Sequence, residues 1–423
     1  MKNTPAMADY ELRHIEALRK NLAGCTVLLK KPCTLAAYGS GVRRTIRGGT
    51  GSGEVNSRYS VTIEEGLQQA GFTLTGMEWH TGYEQARKKA HKAFLKQLKK
   101  DAKAAKQNFI LYGMGKVMPE PEYDLPLNAE GDAAIYVVSR ISGEGNDRTP
   151  LKGDIRLTDS EVRDILALDK KFTRFMLVLN VGGVVDLSPV MDVRNILLLS
   201  QLGVETGGAL ADILLGKANP SGKLTTTWAA FEEYPEMPDF EDMNETRYRE
   251  GIYVGYRYFD TFRKPALFPF GHGLSYTEFR LGAVAVEANG AQITVRTFVE
   301  NIGALAGRQV VQVYLSKPSG KFDAPWQELC AFAKTHELAP GETESVTCSF
   351  TLPEMAAYDT ETASYILEAG DYLVRVGVSS VETAPAAVLH LDKTVTTLQA
   401  NNVLGSTDFT DLTAPASTME RPA

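Results

Sequence analysis

The chain has 423 residues, 43% of them hydrophobic and 23% charged, enough apolar material for two or three domains with cores of their own and too much for a single small module. Its net charge of -7 argues against a nucleic-acid partner, which needs a basic face to neutralise phosphates. Six histidines, and four cysteines (Cys25, Cys33, Cys330 and Cys348) without a C-x-x-C pair or accompanying His spacing, leave little material for a metal centre, a His-based triad or a disulfide framework. Neither a metal nor a cofactor is expected.

The first 25 residues carry Glu11, Arg13, Glu16, Arg19 and Lys20 with no uninterrupted apolar region, so no signal peptide is read there. No run approaches the length needed to cross a bilayer. A cytoplasmic protein without a membrane partner is the resulting expectation.

From about Thr26 to about Thr227, continuous apolar runs alternate with helical patterns. The runs "TLAAYGS", "AAIYVVSR", "FMLVLNV" and "NILLLSQ" have the composition of strands buried on both faces of a parallel sheet. Between them, "TIEEGLQQAG" stops at Gly71, "TDSEVRDILALDKKF" opens on Thr158 as N-cap with Glu161 three residues on, and "ETGGALADILLG" ends at Gly216. Strand, helix, strand in repetition predicts an open α/β sheet. The segment Ala86 to Lys106, rich in lysine around a sparse stripe of Ala90, Phe94 and Leu98, predicts a surface helix with a long solvated basic face.

Two glycine-bearing stretches interrupt this pattern. In "RGGTGSGEVNSRY", Arg47 to Tyr59, the phosphate-loop spacings fail and Glu54 would repel a pyrophosphate. A tight loop that lets another domain or a sugar approach the backbone is expected instead. In "VVSRISGEGNDRTP", an apolar run stops at Glu144, held between Gly143 and Gly145, with Asp147 and Arg148 behind it. Ligands on open α/β sheets bind beyond the carboxyl ends of the strands, and Glu144 falls there. Its glycines permit a sharp bend and close approach to a ligand, while Arg148 or Asp147 could fix the loop through charge pairing. The residues alone leave two readings open, an exposed loop glutamate or a general acid.

Further along, "VGGVVDLSPV" places Asp186 and Ser188 after a strand, where they could line a pocket, and "GKANPSGKLTTTW" offers a Pro-Ser-Gly turn before another strand. The tyrosines of "YREGIYVGYRYFD" are read as packing at a domain junction in preference to a platform for sugar faces. After "FPFGHGLSYTEF" the chain turns to alternating segments, "AQITVRTFVENIG", "RQVVQVYLSKP", "ESVTCSFTL" and "GDYLVRVGVSS", separated by Gly, Pro and Asn turns. They predict an immunoglobulin-like β-sandwich. The last 31 residues or so lose periodicity and read as a linker.

In this order, "GGTGSGEVNSRY", "SRISGEGNDR", "LGVETGGALADILLGKANPSGKLTTTW", "EGIYVGYRYFD" and "FPFGHGLSYTEF" resemble the second and third domains of glycoside hydrolase family 3, the β-glucosidase and related exo-glycosidase family. The resemblance implies an α/β sandwich with a six-stranded, mainly parallel sheet and flanking helices over residues 1–275. It further implies a fibronectin type III-like domain over 276–392 and a linker or tail over 393–423. In that family a retaining mechanism is shared between an aspartate nucleophile on a (β/α)₈ barrel and an acid/base glutamate on a loop of the sandwich domain. Glu144 matches the acid/base position, with Asp147, Arg148 and Arg58 expected to bind substrate or support the loop, and its pKa is expected to be raised.

No eightfold β/α run of barrel size is found in the 423 residues, so the chain resembles the front half of a reversed-order member. The implied function is the acid/base portion of a hydrolase acting on terminal β-linked sugars, inactive until a barrel is supplied in cis by a longer product or in trans. The alternative is a non-catalytic carbohydrate-binding or scaffolding protein derived from that family.

Overall fold

A computed structural model describes residues 29–144, 148–236, 245–403, 405 and 408–414. They divide into two units, the described residues up to 222 with 274–276, and those from 223 to 273 with those from 277 onward.

The first unit is built on a parallel sheet. Five strands, β1 (Thr34–Tyr38), β2 (Thr73–Thr75), β3 (Ala133–Arg140), β4 (Phe175–Val181) and β5 (Ile196–Leu198), lie in the order β2-β1-β3-β4-β5. Every residue of β3 and β4 is buried, as the unbroken apolar runs require of strands covered on both faces. Successive side chains serve opposite layers. Ile135 and Val137 join Leu35, Met176 and Val178 in one core with α1 (Ile63–Gln69), while Tyr136 meets Trp79 and Tyr123 on the other side. Trp79 belongs to α2 (Met77–Ala104), which is followed by the short α3 (Phe109–Gly113). The remaining helices of this unit are α4 (Asp159–Lys171) and α5 (Thr206–Leu214). Thr62 with Glu65 and Thr158 with Glu161 close complete capping boxes on α1 and α4, each satisfying amide donors that an uncapped first turn would leave open.

The expected sheet had six strands, and the described residues give five. The strand anticipated after the Pro-Ser-Gly turn is an isolated bridge from Trp228 to Phe268. Pairing with Phe268 satisfies Trp228 inside the second unit, so the segment does not extend the parallel sheet.

In the second unit β6 (Phe279–Leu281), β7 (Ala285–Asn289), β8 (Gln292–Asn301) and β11 (Thr343–Thr351) form one antiparallel sheet. A second joins β9 (Val310–Ser316), β10 (Glu328–Lys334), β14 (Gly370–Gly377) and β15 (Thr383–Leu391) in the order β10-β9-β14-β15. Alternate residues Ile293, Val295, Val311, Val313, Val346, Phe350, Val374 and Val376 fill the space between the sheets, as in an immunoglobulin-like sandwich. A smaller sheet joins β12 (Ala357–Asp359), β13 (Ser364–Leu367) and β16 (Val395–Gln399). Residues 395–399 of the segment read as a linker are therefore a paired strand, and Leu412 N bonds Arg249 O at 2.7 Å. Among the described residues Cys33, Cys330 and Cys348 are free thiols, and burial pushes Cys330 up to about 12 and Cys348 to about 11.

Before the sandwich, α6 (Tyr256–Phe262) carries the tyrosine-rich motif. Tyr258 and Phe259 pack with Tyr253, and the Tyr256 ring stacks on Phe270 at 4.6 Å, so these rings pack within the second unit, while Tyr248 of the same motif is exposed. Asp260 on this helix accepts from Gln327 Nε2 at 3.1 Å and Ser380 Oγ at 3.3 Å. Burial pushes its carboxyl up to about 7. Between the ordinary aspartate value near 4 and 7 the folded chain therefore binds more protons than the unfolded one, and stability falls as pH rises through that window. We expect unfolding of this unit, followed in urea, to lose about 3 kcal/mol from pH 4 to pH 7 through Asp260, and Asp260→Asn to remove that slope. An unchanged slope in the variant would clear Asp260 of the effect.

Candidate active site

The strand order reverses between β1 and β3: the chain leaves β1 for β2 on one side, then crosses back to β3 on the other. The loops after β1 and β3 both emerge at this reversal, at the carboxyl ends of the strands, where ligands of open α/β sheets bind. Both glycine-bearing stretches singled out in the sequence follow these two strands, and the structure brings them together.

Ser52 N donates to Glu144 Oε2 at 2.7 Å, and Thr50 Oγ1 donates to Glu144 O at 3.1 Å. The glycines are what permit this approach. A Cβ on Gly143 would lie 2.0 Å from Thr50 N, and one on Gly51, whose φ is +64°, would lie 2.8 Å from Glu144 Oε2. The loop of Arg47 to Tyr59 was expected to let a sugar or another domain approach its backbone, and in the structure the Glu144 loop also lies against it.

Glu144 itself is exposed. Ser52, through side-chain and backbone hydrogen bonds, holds its carboxyl below the usual carboxylate range. The raised pKa expected of a general acid is therefore not present in this arrangement, because an N–H aimed at the carboxylate favours the ionised form.

Arg148 has partners on both sides of the 143–147 segment. Its Nη1 donates to Ser142 Oγ at 3.2 Å and its Nη2 to Val184 O at 3.4 Å, while its Nε pairs with Asp154. Asp154 Oδ2 in turn accepts from Thr149 N at 2.6 Å. Both ends of the segment that carries Glu144 are thus tied by one guanidinium, whose planar fork suits several acceptors at once. Asp147 lies outside the described residues. Arg58 is exposed six residues after Ser52, and the adjacent Tyr59 bonds Glu205 at 2.8 Å. Asp186 and Ser188 close on each other, Asp186 Oδ1 accepting from Ser188 N at 2.9 Å and Oγ at 2.6 Å, which makes them a turn.

Three supports went unread in the sequence. Asn180, near the end of β4, accepts from Ile46 N at 2.6 Å and donates to Ile46 O at 2.9 Å and Ser200 O at 2.7 Å. It fastens the base of the glycine-rich loop. Gln201 Nε2 reaches Ser142 O at 3.3 Å, and Asp154 anchors Arg148. Asn180 had a visible signal, an amide interrupting an otherwise apolar strand, since a buried amide needs partners. Gln201 and Asp154 had none.

Residues 20–276, which contain this site, match the glycosyl hydrolase family 3 C-terminal domain. The chain belongs to glycoside hydrolase family 3. Residues 309–380 match a fibronectin type III-like domain, in agreement with the antiparallel sandwich. Beta-glucosidase A of Butyrivibrio fibrisolvens is 34% identical across 90% of this chain and 50% of its own length. An exo-alpha-(1->6)-L-arabinopyranosidase of Bifidobacterium longum is 32% identical across 60% of this chain and 33% of its own. Among solved structures, beta-glucosidase 3B of Thermotoga neapolitana in complex with glucose is 34% identical, with a TM-score of 0.77 over 92% of this chain and 55% of that one. The family 3 chain thus spans half or less of the length of these curated relatives. Among the described residues no helix is long and apolar enough to cross a membrane.

Proposed function

We propose that this family 3 chain supplies the acid/base half of a retaining β-glucosidase-like hydrolase acting on terminal β-linked sugars. The observation that carries the reading is the exposed Glu144 carboxyl at the β1/β3 reversal, on a segment tied at both ends by Arg148. A retaining site needs two carboxyls about 5 Å apart across the scissile bond. The second, an aspartate nucleophile, comes in this reading from a (β/α)₈ barrel in a longer product or a second polypeptide. The aspartate attacks the anomeric carbon while protonated Glu144 gives its proton to the leaving oxygen. Ionised Glu144 then takes a proton from the water that opens the glycosyl-enzyme.

Ser52 N–H opposes the first step, because it holds Glu144 ionised. A proton taken up on Oε1 leaves Oε2 able to accept from Ser52 N, though in a weaker bond, and a nucleophile carboxylate brought close would raise the pKa by like-charge repulsion. The relatives named for β-glucosidase and arabinopyranosidase activities support an exo-acting enzyme and leave the sugar open. The free thiols suit a reducing compartment, in keeping with a cytoplasmic protein.

The test is reconstitution. With an aryl β-glucoside, the 423-residue chain alone is expected to show no turnover above the uncatalysed rate, because one carboxyl cannot form the covalent intermediate. Addition of a barrel from a full-length relative, fused or in trans, is expected to restore it. Turnover at ordinary glycosidase rates by the chain alone would sink the divided-site reading.

A further inference from the structure

Helix α2 does something the glycosidase reading does not use. It begins beside the carboxyl end of β1, where His80 Nε2 bonds Ala37 O at 3.0 Å. Its 28 residues span about 42 Å at 1.5 Å each, against about 26 Å for the eight residues of β3. A crossover helix runs back along the strands it connects, so its last turns and α3 project past the amino ends of the sheet. There α2 packs on α3, with Leu98 Cδ2 only 3.2 Å from the place of a Cβ on Gly113.

Two features coincide on this arm. Lys88, Lys92, Lys96, Lys99, Lys100 and Lys103 are all exposed and fall within about 120° of arc on the helix. Among the described residues none of them has an acidic partner. At the tip, Ile110 is 72% exposed, Leu111 67%, Met114 71% and Val117 51%. The two features are contiguous: Lys99 Nζ sits 5.5 Å from the centroid of the Phe109 ring, and Lys116 Nζ 4.6 Å from that of Tyr112. Residues 86–117 carry a net charge of +9 in a chain of -7, which leaves -16 for the rest.

We propose that this arm docks on the surface of an anionic phospholipid bilayer, with Ile110, Leu111 and Met114 entering the headgroup layer and the lysine stripe lying against the phosphates. Lysines flanking a small aliphatic cap can bury their stems while the ammonium groups stay at the interface. A solvated basic face, the expectation from sequence, explains the stripe and leaves the apolar tip unexplained. A nucleic acid would use the lysines and have no use for the tip. A barrel completing the Glu144 site belongs at the carboxyl ends of the strands, the opposite edge of the sheet, and so does not cover the arm. The charge distribution also orients docking, since the acidic remainder is repelled by the same lipids. Only the exclusion of a barrel as the cover rests on the glycosidase reading; the lysine stripe and the apolar tip stand without it.

The experiment is flotation of the 423-residue chain with vesicles of equal parts phosphatidylglycerol and phosphatidylcholine, against pure phosphatidylcholine. Binding is expected to the anionic vesicles alone at about 50 mM salt, and to be lost near 500 mM, where screening is nearly complete beyond contact distance. Lys96→Glu with Lys99→Glu and Lys103→Glu should weaken partitioning about a hundredfold or more, with helix content unchanged by circular dichroism. Leu111→Ser with Met114→Ser, a change that leaves the charge intact, should weaken it several-fold. Failure of the parent chain to float with anionic vesicles at low salt would overturn the proposal. So would retention on DNA or on an acidic protein equal to that on vesicles and indifferent to the tip variant, which would mark the stripe as a general polyanion surface.

Discussion

In the barrel-completed enzyme, Glu144→Gln is expected to lower turnover of an unactivated disaccharide by about 10²- to 10⁴-fold. Glutamine keeps the side-chain length and a carbonyl oxygen able to accept from Ser52 N, so the loop stays where it is and only the titratable proton is lost. The loss must then depend on the leaving group. An activated aryl leaving group departs with little protonation, so its glycosylation step suffers much less. The deglycosylation step remains slow, because no base removes the proton from water. Azide needs no deprotonation, so added azide should restore turnover and give a β-glycosyl azide as product. A structural defect in the loop would not respond to azide. Equal activity of variant and parent on the unactivated disaccharide would remove Glu144 from the mechanism.

The elements behind this site were legible where local chemistry dictates them. β3 and β4 are unbroken apolar runs because both faces of a parallel sheet are covered, and the Thr158 and Glu161 pair announces its helix because capping is settled within four residues. Glu144 could be singled out because two glycines beside one carboxylate are an unusual local choice. Its partner could not. Ser52 lies 92 residues away, and only the parallel pairing of β1 with β3 at the strand-order reversal brings the two loops together. The same holds for the pKa of Glu144. The sequence reading followed the demands of the chemistry and expected it raised, whereas the local N–H lowers it. β16 was read as linker because Val395–Gln399, with its threonines and glutamine, is a poorly buried strand that carries little apolar signal.

The second large effect concerns β3, the strand that leads to Glu144. Glu161→Ala is expected to destabilise the α/β unit by about 3–5 kcal/mol, seen as a lower urea midpoint at unchanged slope. Arg140, the last residue of β3, donates from Nη1 and Nη2 to the two Glu161 oxygens at 3.0 and 2.6 Å. Both side chains are only 4% exposed. Removing Glu161 strands a guanidinium with no counter-charge at the bond it loses, and it also removes the acceptor for Thr158 N, 2.9 Å from Glu161 Oε2, so α4 keeps the Thr158 side-chain cap but loses the reciprocal half of its capping box. Replacing both partners by apolar side chains, Arg140→Met with Glu161→Leu, avoids the uncompensated charge and should recover much of the loss. The same change should still cost activity in the barrel-completed enzyme. Arg140 Nε donates to Asp154 O at 2.9 Å, and Asp154 holds Arg148, which ties the Glu144 segment. With Arg140 gone, stability can return while the anchor of Asp154 does not. A double variant that regained full activity along with its stability would show that Arg140 acts on the fold alone. A loss below about 1 kcal/mol in Glu161→Ala, no more than an exposed ion pair is worth, would remove this pair from the account of what holds the unit together.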